Sequence, residues 1–360
     1  MTKFFSIKPV NQDSFVITWD MGRRCNYDCS YCPSHRHDNF SPHASLDSLK
    51  SNADFVFEYI NLLSQYKVNK QYHLSFTGGE PTVNPHFLEF SEYINFKKIE
   101  KLDKDIDLWL DVTTNGAMSS KIADGIIKNY DHVTISYHAE ADSKLKKQVK
   151  ERIIQFKNSG IKMKVNVMFH FNFFDECKDL CDWLKENDVN FIPRLIGENP
   201  TSPFSQGHLY TQEQKDWLKD FWNIDVGPLH RPCCGGRSFK ICNGDTEEIT
   251  KSVNYRNFKG WSCAVNWYFL HIDQQNELIY HHQTCQAKLD STRGSIGKTS
   301  EWESVITDLR DRLVSKQMPI IQCPNDLCGC GLCIPKSKER HDLLQTMPYF
   351  IKDMSVFNVS

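Results

Sequence analysis

The chain has no long apolar run. Stretches such as Trp267 to Leu270 are far too short for a bilayer span, which takes about 20 residues. The opening Met-Thr-Lys-Phe-Phe lacks the apolar segment of a secretory leader. Both absences lead to the expectation of a cytoplasmic protein with no membrane partner. Strong charge of either sign is missing too: a formal charge of -2 gives no long-range field for gathering nucleic acid, and no nucleic-acid partner is expected. Internal repeats and low-complexity tracts are absent. With 40% apolar and 24% charged residues, the composition excludes disordered and collagen-like classes and leaves a folded, soluble enzyme open.

Cysteine is missing from one long stretch and concentrated elsewhere. Cys25, Cys29 and Cys32 stand together, none follows until Cys177 and Cys181, and nine of the 14 lie between Cys233 and Cys333. A reducing cytoplasm disfavours structural disulfides, so metal ligation is the first reading for the two ends of the chain. Cys177 and Cys181 lie one helical turn apart beside Leu180 and Leu184, which reads as core packing.

The first two hundred residues alternate short strand-like runs with amphipathic helices, the pattern of repeated β-α units around a parallel sheet. The strands are expected at Phe15 to Asp20, Tyr72 to Thr77, Asp107 to Thr113, His132 to His138, Lys162 to His170 and Asn190 to Ile196. Alternate residues of a strand point to opposite faces. Leu74 and Phe76, Val133 and Ile135, and Val165, Val167 and Phe169 form an apolar set suited to packing under helices. The opposite set is polar and includes Thr18, Asp20, Ser75, Asp111, Thr134, Ser136, His138, Asn166, His170 and Arg194. A closed eight-stranded barrel fills its interior with branched apolar side chains, so six units with a polar interior predict a wider, open, partial (β/α)6 TIM-like barrel.

The segment Cys25-Asn-Tyr-Asp-Cys29-Ser-Tyr-Cys32 follows the first strand with spacing C-x3-C-x2-C. Three thiolates can hold three irons of a cubane and leave the fourth open. A structural zinc site wants four ligands close at hand, and no fourth cysteine is near. Thr77-Gly78-Gly79-Glu80-Pro81 follows the second strand, Thr114-Asn115-Gly116 the third, and Ser136-Tyr137-His138 ends the fourth.

In these residues, over about Phe15 to Ile196, the chain resembles the radical S-adenosylmethionine superfamily. The resemblance implies a [4Fe-4S] cluster on Cys25, Cys29 and Cys32. It implies S-adenosylmethionine contacts from Tyr31, Gly78, Gly79, Glu80, Asn115 and Ser136, with Glu80 accepting from the cofactor's ammonium. It further implies reductive cleavage to a 5'-deoxyadenosyl radical that abstracts hydrogen from a substrate, and an electron donor such as flavodoxin or ferredoxin. Catalytic candidates on the polar barrel face are His138, Asn166, His170 and Arg194.

Past a bridging segment, 201–232, short β-like runs Trp267 to Asp273 and Leu278 to His282 precede a helix carrying Trp302, Val305, Ile306, Leu309 and Leu313. Cys323-Pro-Asn-Asp-Leu-Cys328-Gly-Cys330-Gly-Leu-Cys333 follows. This order resembles the twitch or SPASM extensions of the superfamily. A small α+β cysteine-rich module is therefore expected over 233–345, after a barrel over 1–200 and before a tail over 346–360. It would hold one auxiliary cluster on Cys263, Cys285, Cys328 and Cys330, with Cys323 or Cys333 as alternatives. Four thiolates would also satisfy zinc. The substrate is expected to be a peptide or small molecule that is oxidised or rearranged. A nucleoside-modifying or base-modifying enzyme and a zinc-stapled binding protein with an inactive barrel stay open as alternatives.

Overall fold

The computed structural model describes residues 6–9, 14–32, 37–66, 71–196, 209–222, 239–243, 246–250, 257–281, 295–315, 320–324 and 334–339. After a short strand β1 (Ser6–Pro9), the chain forms six parallel strands: β2 (Ser14–Asp20), β3 (Gln71–Thr77), β4 (Asp107–Thr114), β5 (His132–His138), β6 (Lys162–Phe169) and β7 (Phe191–Leu195). Helices α1 (Leu46–Gln65), α2 (Phe87–Lys101), α3 (Ser120–Asn129), α4 (Ser143–Ser159) and α5 (Phe174–Glu186) connect them, and α6 (Gln212–Trp222) follows β7. The six expected units are present, with every strand end within one residue of its expected position and with β5 matching at both ends.

Period-2 alternation produces this sheet. Phe15, Ile17 and Trp19, then Tyr72, Leu74 and Phe76, then Leu108, Leu110 and Val112 are almost fully buried and face the helical layer. Removing each such side chain from water stabilises by roughly 1.5–3 kcal/mol. Local signals set the helix ends. The Ser45, Ser119 and Asp142 side chains cap α1, α3 and α4 by accepting backbone N–H bonds, and Gly160 ends α4 in the left-handed conformation at φ 77°. Cys177 and Cys181 are buried in α5 as core residues.

The C-terminal half contributes strands to two sheets. Beyond β8 (Phe239–Asn243), β9 (Thr246–Thr250) and β10 (Ser262–Cys263), the hairpin β11 (Phe269–Asp273) and β12 (Leu278–Tyr280) does not stand apart. Strand β11 pairs parallel with β2 from Phe269↔Val16 to Asp273↔Asp20, and β13 (Ser295–Lys298) pairs with β12. The main sheet therefore has nine strands in the order β13-β12-β11-β2-β3-β4-β5-β6-β7, and α7 (Trp302–Val314) packs on α1. The physical reason is that β2, first of the parallel series, has an open edge of backbone donors and acceptors that another strand can satisfy. A second sheet, with β14 (Ile321–Gln322) and β15 (Lys336–Ser337), has the order β14-β10-β15-β1-β8-β9 and takes its β1 from the other end of the chain. Strand pairing thus crosses the boundary expected near residue 200 in both directions. Among the described residues, no helix is long and apolar enough to cross a membrane.

A buried amide locks the added hairpin in place. Trp19 Nε1 and Asn52 Nδ2 both donate to Gln274 Oε1 (3.2 and 2.7 Å), and Gln274 Nε2 donates to Ser48 Oγ (2.8 Å). Gln274→Ala strands two donors in the core and should lower stability by about 1–3 kcal/mol. A fall in urea midpoint at unchanged slope is the expected reading; an unchanged midpoint would remove this network from the account.

Candidate functional site

The site lies at the C-terminal ends of the parallel strands, where the loops after β2, β3, β4 and β5 meet. The loop after β2 carries the three cysteines. Cys29 is buried and Cys25 and Cys32 are half-buried. A turn joins Cys32 N to Cys29 O (3.0 Å), and the Tyr27 N–H and Asn115 Nδ2 approach Cys25 Sγ at 3.4 and 3.9 Å. Burial pushes the Cys25 thiol up to about 11 and Cys29 to about 12, with the negative charges of Glu80 on Cys25 and Glu140 on Cys29 adding to it.

The loop after β3 explains the paired glycines. Gly79 N donates to Gly22 O (2.7 Å) and Glu80 N to Arg24 O (2.9 Å), so this turn runs against the backbone that leads into Cys25. Gly78 has φ 129°, and a Cβ there would sit 2.6 Å from Gly22 O; one on Gly79 would sit 2.3 Å from Arg23 O. These glycines therefore permit backbone to approach backbone beside the cysteine loop.

Glu80 joins two of these loops. Its carboxylate is buried, and Oε1 accepts from Thr82 N (3.1 Å), Thr82 Oγ1 (2.6 Å) and Thr114 Oγ1 (2.7 Å), while Oε2 accepts from Asn115 N (2.6 Å). Four protein donors thus converge on this carboxylate from the loops after β3 and β4. Burial raises its pKa, and the donors oppose this. Asn115 Nδ2 donates to Asn26 Oδ1 (2.6 Å) and so ties the loop after β4 to the cysteine loop.

His138, at the end of β5, lies between Tyr27, edge-on, and Tyr31, stacked. Its Nδ1 is 2.5 Å from Tyr31 Oη and 3.5 Å from Cys29 Sγ, and burial lowers its pKa to about 4, so the ring is neutral near pH 7. Ser136 and Asn166 pair in register on the inner face, and Arg194 Nε donates to Asn166 Oδ1 (3.4 Å). His170 is buried just past β6, where Nδ1 accepts from Asn172 N (3.1 Å) and Nε2 lies 3.2 Å from Glu140 Oε1. Glu140 was not foreseen from the sequence, where a lone acid after a strand carries no signal.

Deeper in the barrel, Thr18, Ser75, Asp111 and His132 fall in one row across four strands. Asp111 is buried. Its Oδ1 meets His132 Nδ1 at 2.5 Å, Ser75 Oγ donates to Oδ2 at 2.9 Å, and His73 stands 3.9 Å from Oδ2. Burial alone would raise its pKa, but the His132 bond and the two histidine charges more than reverse this, and the net shift is downward.

Of the expected auxiliary ligands, Cys285, Cys328, Cys330 and Cys333 lie outside the described residues. Cys263 and Cys323 are described and buried. The register Cys263↔Ile321, continued by the Cys323 N to Trp261 O bond, puts 261, 263, 321 and 323 on one face of the second sheet.

The donor set of the cysteine loop fits a cubane better than a single ion. Among the described residues, no three His, Cys, Asp or Glu side chains converge as they would around one metal ion. Ligands to a cubane bind different irons, so a wider spread suits them. Tyr27 Oη, on the same loop, is buried with no hydrogen-bond partner among the described residues, a group that a bound polar molecule would satisfy.

Residues 19–184 match the family model described as the radical SAM superfamily. An S-adenosylmethionine-dependent nucleotide dehydratase of Fibrobacter sp. (strain UWH6) is 24% identical over 205 residues, 52% of this chain and 57% of that protein. A GTP 3',8-cyclase of Haemophilus influenzae (strain 86-028NP) is 26% identical over 235 residues, 61% of this chain and 65% of that protein. The chain spans less than two thirds of the length of these curated relatives. The fold is similar to that of anSMEcpe with bound AdoMet (TM-score 0.51, 16% identity, 83% of this chain and 82% of that one). It is likewise similar to anSMEcpe with bound AdoMet and Cp18Cys peptide (TM-score 0.51, 14% identity, 94% and 87%).

Two substitutions test this geometry. Gly79→Ala drives a methyl into two backbone oxygens and should destabilise the chain by about 1–3 kcal/mol, read as a lower melting temperature. Asp111 has a depressed pKa, so it contributes stability above the unfolded value of about 3.9 and loses it as pH falls through the folded one. Asp111→Asn should therefore be less stable at pH 7, with the deficit shrinking below about pH 4. A deficit independent of pH would sink the assignment.

Proposed function

We propose that the chain is a radical SAM enzyme, the superfamily whose model residues 19–184 match, and that Cys25, Cys29 and Cys32 are the ligands of its [4Fe-4S] cluster. The observation that carries this is the three-thiol loop at the C-terminal end of a parallel sheet, backed by the Gly78–Glu80 turn. With S-adenosylmethionine bound at its open iron, the cluster supplies one-electron reductive cleavage to a 5'-deoxyadenosyl radical.

The residues of the chain supply position and enclosure. Glu80, Thr114 and Asn115 fix the loops around the cysteines, and Tyr27, Tyr31 and His138 wall the side next to β5. Neutral His138 shares a hydrogen bond with the Tyr31 hydroxyl, so neither ring brings a charge to the neighbourhood of the thiolates. Holding the reacting C–H bond against the radical carbon in a water-poor space is the protein's contribution to rate. The substrate lies along the polar inner face, with Ser136, Asn166 and Arg194 nearest the strand ends and the Asp111–His132 pair deeper. In the same reading, an auxiliary cluster takes Cys263, Cys285, Cys328 and Cys330, with Cys323 or Cys333 as alternatives. The protein works in the reducing cytoplasm with a donor such as flavodoxin or ferredoxin.

The substrate is a polar small molecule or peptide that is oxidised or rearranged. A nucleotide substrate is the second reading, favoured by the names of the two curated relatives.

Anaerobically purified protein should be brown, bind about four irons at the first site and form 5'-deoxyadenosine when reduced with S-adenosylmethionine. Changing Cys25, Cys29 and Cys32 to Ala should abolish that product. Cleavage that survives the triple change would refute the ligand assignment, and colourless protein with zinc alone would refute the enzyme.

A further inference from the structure

Glu140 lies two residues past β5 and makes more contacts to the cysteine loop than any role on the barrel face would require. Its Oε2 accepts from the Ser30 backbone N–H (2.9 Å) and its Oε1 from the Ser30 hydroxyl (2.6 Å). Ser30 is the residue between Cys29 and the Tyr31-Cys32 pair. Both donors of one exposed loop residue are thus taken by a single carboxylate 110 positions away in the chain.

The carboxylate is itself held. His170 Nε2 is 3.2 Å from Glu140 Oε1, and His170 Nδ1 accepts the Asn172 N–H, which leaves the ring proton on Nε2, pointing at Glu140. Phe171 stacks on this imidazole (centroids 4.5 Å apart) and Phe173 meets it edge-on (5.1 Å), so the ring has little freedom to turn. The chain of contacts runs from the end of β6 through His170 and Glu140 to the turn between two thiols. A carboxylate beside thiolates is electrostatically unfavourable, so its use here is geometric.

We propose that Glu140, oriented by His170, is a latch that fixes the Cys29–Cys32 turn and thereby sets how firmly the cluster is held. The proposal rests on the reading of that loop as the cluster site. Partners that orient metal ligands from one shell out typically contribute about 10–100-fold in metal affinity.

The test uses the full chain loaded with its cluster and challenged with a ferrous chelator under anaerobic conditions. Glu140→Ala should release iron about tenfold faster or more, and Glu140→Gln should fall between it and wild type, because an amide oxygen can still accept one Ser30 donor. His170→Ala should speed release by a smaller factor. If Glu140→Ala does not fold, Ser30→Ala at the exposed loop residue removes the hydroxyl bond alone and should speed release a few-fold. In the cluster-free chain, hydrogen exchange at the Ser30 amide should rise about tenfold in Glu140→Ala, a readout that melting temperature does not track. Release rates within about twofold of wild type in the folded variants, or an unchanged Ser30 amide, overturn the latch. A wild-type chain that takes up no cluster overturns the parent reading instead, and the exchange rate still decides the latch.

Discussion

Glu80 is the constraint on which the rest of the site depends. Moving a carboxylate out of water is expensive, and four donors from two loops offset that expense here. The loops after β3 and β4 therefore cannot move independently, since displacing either would leave a buried charge short of partners. Through its own N–H on Arg24 O, Glu80 also fixes the entry to the cysteine loop. Side chain and backbone of this one residue thus join three strand ends, and the cysteine loop rests on that platform.

The rest of the fold protects this platform from the side. An open barrel beginning at β2 would expose that strand's edge next to the cysteine loop. Strand β11 covers the edge, and its following turn lies over the same region: Gln274 N donates to Asp20 O and Arg23 Nη2 donates to Asn276 Oδ1. The distant half of the chain is thereby part of the same rigid frame, and α7 packing on α1 adds a second attachment on the outer face. The C-terminal residues support the site as well as extending it.

How much of this was legible follows from the range of the interactions involved. The six strands and their inward and outward faces were readable because alternation and helical spacing are local, and so were the cysteine spacing and the glycines beside it. The identity of the Glu80 partners was not, because an acid after Gly-Gly looks the same whether it faces a ligand or the next loop. The pairing of β11 with β2 joins residues some 250 apart, and a hairpin's own pattern does not say which sheet it will extend. Glu140 and His132 escaped notice for the same reason: each acquires meaning only from a partner on another strand.

The inner face divides by height. Near the strand ends it is built of aromatic rings and a neutral imidazole around the thiols, whereas the Thr18–Ser75–Asp111–His132 row below is charged and hydrogen-bonded. A buried aspartate with a lowered pKa stays ionised and holds Nδ1 of His132, whose ring is only partly buried, so Nε2 is the nitrogen that can address the lumen. In the proposed function, a radical formed near the strand ends would gain from low polarity there, while a polar substrate would gain from fixed partners further in. The two needs are met at different depths of one sheet. Under the proposed function, that arrangement would suit a substrate long enough to place a polar group on the row while its reacting carbon reaches the end occupied by the cysteines.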